Sequence, residues 1–316
     1  MDDNRLLILT GPTAVGKTKL SLMLAKKLSG EIISADSMQV YRRMDIGTDK
    51  IRKEDMRGIR HHLIDILEPE EEFNVYRFKE AACKAIADIR SRGNLPMIVG
   101  GTGFYIQSVL YDIGFTDEDD GGDYRASLEE EVEKGGEAAV KKLHDMLAEA
   151  DPEAAAQIHE NNVKRVIRAL EYHHLTGGMI SEHNREQRER GSAYDSLYFV
   201  LTDDRARLYE RIDRRVDEMM EQGLEGEVRS LLDEGMTGDE ISMLGLGYRQ
   251  MVMHIRDGMP IERTVELIKR DTRHFAKRQL TWYRRERDVI FIDRREFPTD
   301  EEALDEIVRI AGERWK

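Results

Sequence analysis

Leu6-Leu7-Ile8-Leu9-Thr10, followed by Gly11-Pro12-Thr13-Ala14-Val15-Gly16-Lys17-Thr18, decides the fold. The apolar run stops at a Gly-Pro turn, which predicts a buried strand. Leu20, Met23, Leu24, Ala25 and Leu28 then recur at helical spacing, and Gly30 ends that helix. The stretch between strand and helix fits G-x-x-x-x-G-K-[ST] at every fixed position. Its glycines let the backbone curl so that N–H groups converge on phosphate oxygens, and the helix start adds partial positive charge. Lys17 brings a full charge to the terminal phosphate, and the Thr18 hydroxyl is a ligand for Mg2+. Gly11, Pro12, Thr13, Ala14, Val15, Gly16, Lys17 and Thr18 are therefore assigned to phosphate binding. Such a loop identifies a ligand class but no reaction, since an ATPase, a kinase and a transferase that expels pyrophosphate would all use it.

Outward from the loop, Glu31 to Asp36 reads as a second strand, Leu63 to Leu67 as a weaker third, and Leu95 to Val99 as another. The stretch from Val75 to Arg90 reads as a helix. Strands alternating with helices predict a parallel sheet with helices on both faces. Thr116 to Asp123 holds five acids and two glycines, a solvated boundary. From Tyr124 to about Glu189 the pattern is helical throughout, which predicts a helical insertion. Leu197 to Leu201 and Val289 to Asp293 return to the sheet. The expected fold is α/β, a P-loop NTPase-like parallel sheet with flanking helices plus an all-helical insertion. The expected divisions are 1–115 for the first part of the core, 116–195 for the insertion and 196–316 for core completion and C-terminal helices.

Composition narrows the class. Hydrophobic residues make up 40% of the 316, enough for a sizeable core, and charged residues 35%. A formal net charge of −14 argues against nucleic acid on average, so any such role must rest on local basic patches. The single cysteine, Cys83, excludes an intramolecular disulfide and a cysteine-based zinc site, and fits a reducing cytoplasm. The apolar run after the charged N-terminus is too short for a signal peptide, and no run is long enough to span a membrane. His61-His62 and His173-His174 lack the i, i+4 spacing of a metal pair and are assigned to packing.

Asp36 stands where the second strand leaves the sheet, and ligands of open α/β sheets bind outside the carboxyl ends of strands. Three roles suit it: general base, outer-shell Mg2+ ligand, or helix N-cap. Gly100-Gly101-Thr102-Gly103 repeats the strand-to-turn logic, with Thr102 as its only hydroxyl. No acid pair for ATP hydrolysis and no Asn-Lys-x-Asp run for guanine follows the loop, which weakens the motor ATPase and GTPase readings. Lys269 to Arg287 carries eight Lys/Arg against two acids, with Arg270, Arg273, Lys277 and Arg284 near one helical face and Trp282 and Tyr283 among them. A basic face with aromatics suits RNA. Lys164, Arg165 and Arg168 form a second strip beside the buried stripe of Val163, Val166, Ile167 and Leu170. Arg211 and Arg215 lie in a third cluster and could close over a donor's phosphates.

These blocks resemble the bacterial tRNA dimethylallyltransferase (IPP transferase) family. The resemblance rests on residues 11–18, Asp-Ser-Met-Gln-Val-Tyr-Arg at 36–42, Gly-Gly-Thr-Gly-Phe-Tyr at 100–105, Arg-Val-Ile-Arg-Ala-Leu-Glu at 165–171, Gly-Tyr-Arg-Gln at 247–250 and Thr-Arg-His-Phe-Ala-Lys-Arg-Gln-Leu-Thr-Trp at 272–282. It implies transfer of a dimethylallyl group from dimethylallyl diphosphate to the N6 amine of the adenosine beside the tRNA anticodon. It implies Asp36 as acceptor of the amine proton and Thr102 as the group positioning the amine or the bridging oxygen. Arg211 or Arg215 would assist the departing diphosphate, as would Mg2+ on Thr18. The resemblance implies tRNA contacts for Asp36, Ser37, Met38, Gln39, Thr102, Arg125, Lys277, Arg278 and Gln279, which match family positions, and the basic strips add Lys164, Arg165, Arg168 and Arg273. The expected partners are the anticodon stem-loop of tRNA and dimethylallyl diphosphate, with no membrane, a cytoplasmic setting and a monomeric chain. The zinc-finger cysteines of eukaryotic relatives are missing, as in the bacterial type. An adenine-nucleotide prenyltransferase and a P-loop small-molecule kinase remain as alternatives, because both would keep the loop.

Overall fold

The computed structural model describes residues 4–114, 122–189 and 191–316. They form two compact units: residues 1–110 with 194–316, and residues 111–193. Of the acidic boundary expected over Thr116 to Asp123, residues 116–121 lie outside the described residues.

The first unit is built on a six-stranded, all-parallel sheet in the order β3-β2-β4-β1-β5-β6. Its strands are β1 (Arg5–Thr10), β2 (Gly30–Ala35), β3 (His61–His62), β4 (Leu95–Gly100), β5 (Asp195–Thr202) and β6 (Val289–Asp293). Helices α1 (Lys17–Leu28), α2 (Val75–Ser91) and α3 (Gly103–Leu110) precede the second unit in the chain. Helices α8 (Arg205–Gln222), α9 (Leu224–Asp233), α10 (Tyr248–Asp257), α11 (Ile261–Tyr283) and α12 (Asp300–Arg314) follow it. Leu6, Leu7, Ile8 and Leu9 are all fully buried. A central parallel strand has both faces covered, so its sequence is continuously apolar rather than alternating. Leu7, Leu9, Met97, Val99 and Phe199 pack with Leu20 and Leu24 of α1, Leu208 and Ile212 of α8 and Ala303 and Ile307 of α12.

β1 pairs with β4 on one side and β5 on the other. From β1 the chain moves first to one side of it and later to the other. The crevice at the carboxyl end of β1 is thus the topological switch point, where this kind of sheet takes its ligand.

The expected third strand over Leu63–Leu67 is corrected. Pairing with β2 is confined to His61 and His62. Leu63 (φ 62°) and Asp65 (φ 54°) are left-handed, which breaks the extended run. Only an isolated bridge from Leu67 to Tyr41 remains. The first helix also ends one residue earlier than expected, because left-handed Ser29 closes α1 and Gly30 already opens β2.

The second unit contains only helices among its described residues: α4 (Gly122–Ala150, broken at Gly136), α5 (Pro152–Gln157), α6 (Val163–Thr176) and α7 (Ile180–Glu189). Leu128, Leu143, Leu147, Val166, Ile167 and Leu170 form its core. Asp151, 1% exposed, accepts from Ala154 N–H at 2.9 Å and from the Ser181 N–H and hydroxyl at 2.8 and 2.7 Å. One carboxylate thereby caps α5 and holds the start of α7 against it.

Candidate active site

The phosphate loop leaves β1 through Gly11, whose φ of 146° and proximity to Leu201 leave no room for a side chain: a Cβ there would stand 2.6 Å from the Leu201 carbonyl oxygen. Gly16 (φ 99°) caps α1 without a side-chain hydrogen bond, and no acid stands in the first helical turn. The free N–H groups and positive end of α1 therefore face an uncapped loop. Lys17 Nζ folds back on the loop and donates to Gly11 O at 3.0 Å and Pro12 O at 2.8 Å. Burial, then the Arg215 charge, hold its pKa down to about 8, while Asp36 and Asp49 pull it upward.

Both candidate arginines reach the phosphate loop. Arg211 Nε donates to Ala14 O at 2.9 Å and its Nη2 to Asp203 at 2.6 Å. Arg215 Nη1 donates to Thr13 Oγ1 at 3.1 Å, and its Nη2 lies 2.8 Å from Asp49. Two guanidinium groups from one face of α8 thus bracket residues 13 and 14.

Asp36 and Thr102 stand at adjacent strand ends. Thr102 N–H donates to Ala35 O at 3.0 Å. Gly100 pairs with Ala35, and a Cβ on Gly100 would collide with the Ala35 carbonyl, so the glycine turn presses directly against the residue preceding Asp36. Asp36 Oδ1 accepts from Met38 N–H at 2.9 Å. The expected helix N-cap is corrected to a local turn, since the next helical turn begins only at Lys53; that turn uses one oxygen and leaves Oδ2 without a hydrogen-bond partner among the described residues. Asp36 acts electrostatically on Lys17, Tyr105 and Tyr283, which places its charge at the junction of both glycine turns.

Thr18 is exposed at the start of α1. Among the described residues no three His, Cys, Asp or Glu side chains cluster into a metal cage. One hydroxyl beside a phosphate loop fits Mg2+, which is commonly held by few protein groups plus phosphate oxygens and water. His62 instead bonds Glu31 at 2.8 Å, and His61 bonds Ile59 O at 2.9 Å.

Several expected RNA contacts have other partners. Gln279 is only 6% exposed; its amide accepts from Thr13 N–H and donates to Gly101 O, both at 2.9 Å. Gln279 thereby bridges the two glycine turns. Its carbonyl also takes up the Thr13 N–H, so that amide is not offered to a phosphate. Gln39 bonds Ser34 Oγ at 3.2 Å and Thr48 O at 3.2 Å. Met38 fills the space left by Gly245, and Ser37 is half-buried beside it in sequence. In the second unit Arg125 grips buried Glu171 with two bonds of 3.0 and 2.6 Å, and Arg168 adds a third at 3.0 Å. Arg273 pairs with Asp213. By contrast, Lys277, Arg278, Lys164 and Arg165 are exposed and have no ion pair among the described residues, with Arg278 lying over the Phe275 ring.

Sequence reasoning overlooked Asp203, Asp49 and Glu227, and it named Tyr283 only as an aromatic of the basic face, whereas its hydroxyl bonds Gly101 O at 2.9 Å. Asp203 follows β5 as Asp36 follows β2, and the same strand-end logic would have found it. Glu227 of α9 accepts N–H groups of Asp45, Ile46 and Gly47 at 2.9, 2.8 and 3.1 Å and the Tyr248 hydroxyl at 2.5 Å, anchoring the loop that carries Asp49. No short motif announces that contact.

A parallel sheet with a phosphate loop at its switch point, two arginines on the loop and a carboxylate at the neighbouring strand end defines a P-loop protein of the phosphate-binding α/β class. The chain belongs to the IPP transferase family, whose model matches residues 39–286. A second model, isopentenyl transferase, matches residues 4–71. The chain is 55% identical to the tRNA dimethylallyltransferase of Lachnoclostridium phytofermentans over 98% of both chains. Among solved structures it resembles the full-length tRNA isopentenylpyrophosphate transferase of Bacillus halodurans, with 44% identity, a TM-score of 0.73 and coverage of 99% of this chain and 97% of that one. A eukaryotic dimethylallyltransferase acting on tRNA matches at 29% identity with a TM-score of 0.80, over 92% of this chain and 74% of that one. Among the described residues no helix is long and apolar enough to cross a membrane.

Proposed function

We propose that this chain transfers the dimethylallyl group of dimethylallyl diphosphate to the N6 amine of the adenosine on the 3′ side of the tRNA anticodon. The observation that carries this reading is the Thr102–Ala35 bond of 3.0 Å, which sets the glycine turn beside Asp36 at the mouth of the phosphate loop. The adenine nitrogen attacks the allylic carbon, the bond from that carbon to the bridging oxygen breaks, and diphosphate leaves. Asp36 Oδ2 takes the amine proton, and the Thr102 hydroxyl orients the amine or the bridging oxygen. Lys17, Arg211, Arg215 and the loop amides receive the charge that develops on the diphosphate. Mg2+ would be held by Thr18 and would neutralise further phosphate charge when bound.

An amine inside a stacked anticodon loop cannot reach the donor, so the base must leave the stack. Exposed Lys277, Arg278, Lys164 and Arg165 are the groups that meet the RNA phosphates. The chain works as a monomer in the cytoplasm.

Mass spectrometry of tRNA nucleosides after incubation with dimethylallyl diphosphate and Mg2+ tests the proposal: an adenosine heavier by one dimethylallyl group supports it. Unmodified tRNA alongside prenylated free adenine nucleotide would establish the alternative acceptor, and ATP consumption would establish the kinase. Asp36→Asn lowers kcat about 10²- to 10⁴-fold with donor binding largely retained.

A further inference from the structure

Helix α11 meets the two glycine turns through Gln279 and, one turn later, Tyr283. Lys277 and Arg278 lie in water, whereas the next residue, Gln279, is buried. Its planar amide accepts from Thr13 N–H at one end and donates to Gly101 O at the other, each at 2.9 Å. A Cβ on Gly101 would collide with that amide, so the contact depends on glycine. One turn later the Tyr283 hydroxyl donates to the same Gly101 carbonyl at 2.9 Å and lies 2.7 Å from the Thr10 hydroxyl at the end of β1. The helix that exposes the basic face is therefore bolted to the phosphate loop and to the turn that bears Thr102.

We propose that Gln279 is a positioning residue through which RNA docked on α11 and diphosphate seated in residues 11–18 tighten each other's binding. This rests on the tRNA reading of the same face. RNA phosphates that restrain Lys277 and Arg278 also restrain the side chain one residue on. A restrained Gln279 holds the Thr13 amide, and with it the curl of the loop. The loop then loses less freedom when diphosphate arrives. Linkage makes the effect reciprocal, so diphosphate improves RNA affinity by the same factor. The carboxamide suits this task because it both accepts and donates. Glutamate keeps the acceptor but loses the donor, and methionine loses both at similar volume.

The test titrates the full chain with inorganic pyrophosphate and Mg2+ by calorimetry, with and without a saturating anticodon stem-loop RNA. In the wild type the RNA lowers the pyrophosphate Kd about fivefold or more, and pyrophosphate lowers the RNA Kd by the same factor. In Gln279→Met that ratio falls to about one while each ligand still binds separately. If Gln279→Met fails to fold, Gln279→Glu is read instead and must also show a reduced ratio. A wild-type ratio of one overturns the inference, as does a folded variant that keeps the wild-type ratio. If RNA fails to bind the wild type at all, the tRNA reading itself falls and takes the coupling with it.

Discussion

Titrating Lys17 should weaken donor binding without slowing the chemical step. In the free protein, burial and the Arg215 charge hold this lysine at about 8 rather than the usual 10.5. A bound diphosphate adds negative charge beside Nζ and restores the proton's hold. Donor affinity therefore follows the charged fraction of the free protein, about 0.9 at about pH 7 and about 0.1 at about pH 9. The KM for dimethylallyl diphosphate should rise about tenfold across that interval. The kcat at saturating donor should stay level there, because the bound state keeps the proton. Steady-state kinetics with saturating tRNA at constant ionic strength measures both. Lys17→Arg supplies the control, since a guanidinium stays charged throughout: its KM is poorer but flat. A wild-type KM that does not change, or a slope that persists in Lys17→Arg, would refute the reasoning. Folding stability moves the other way. The unfolded chain binds more protons at this site between about 8 and 10.5, so the lysine's destabilising contribution shrinks as pH rises through that window.

Asp49→Asn removes the carboxylate 2.8 Å from Arg215, and the repulsion between that carboxylate and an incoming diphosphate goes with it. Because Asp49 is half exposed, the gain is small, about two- to fivefold tighter pyrophosphate binding at low salt, and calorimetry at high salt should show it fade. Lys277→Ala and Arg278→Ala should each weaken binding of the anticodon stem-loop and shallow the plot of log affinity against log salt by about one unit. An unchanged slope would remove α11 from the RNA face. Gly100→Ala drives a methyl group into the Ala35 carbonyl and should lower the thermal midpoint by an amount matching about 2 kcal/mol or more. A midpoint equal to wild type would show that the two strand ends are not packed as described.

Local readings succeeded where the deciding interactions are themselves local. The apolar run of Leu6 to Leu9, its Gly-Pro stop and the Gly16-Lys17-Thr18 helix start lie within a dozen or so residues, and strand, loop and α1 follow from their order. The strand ends at Asp36 and Thr102 were likewise readable, because a parallel sheet fixes where its carboxyl ends point. β3 was misplaced since its two pairing residues depend on Ile32 and Ile33 of another strand, while positive φ at Leu63 and Asp65 forbids the more apolar run beside it.

The one-letter order alone established a phosphate loop at the head of a parallel sheet, a helical insertion and basic residues in excess on one C-terminal helix. Only the tertiary structure decided which of those basic residues face water, that Arg211 and Arg215 both hold the loop, and that Gln279 spans the 266 residues back to Thr13. The reason is physical. Backbone curl and helix start arise from neighbours along the chain, whereas the partner of a buried amide or a charged side chain is set by whichever distant backbone group packing brings within 3 Å or so.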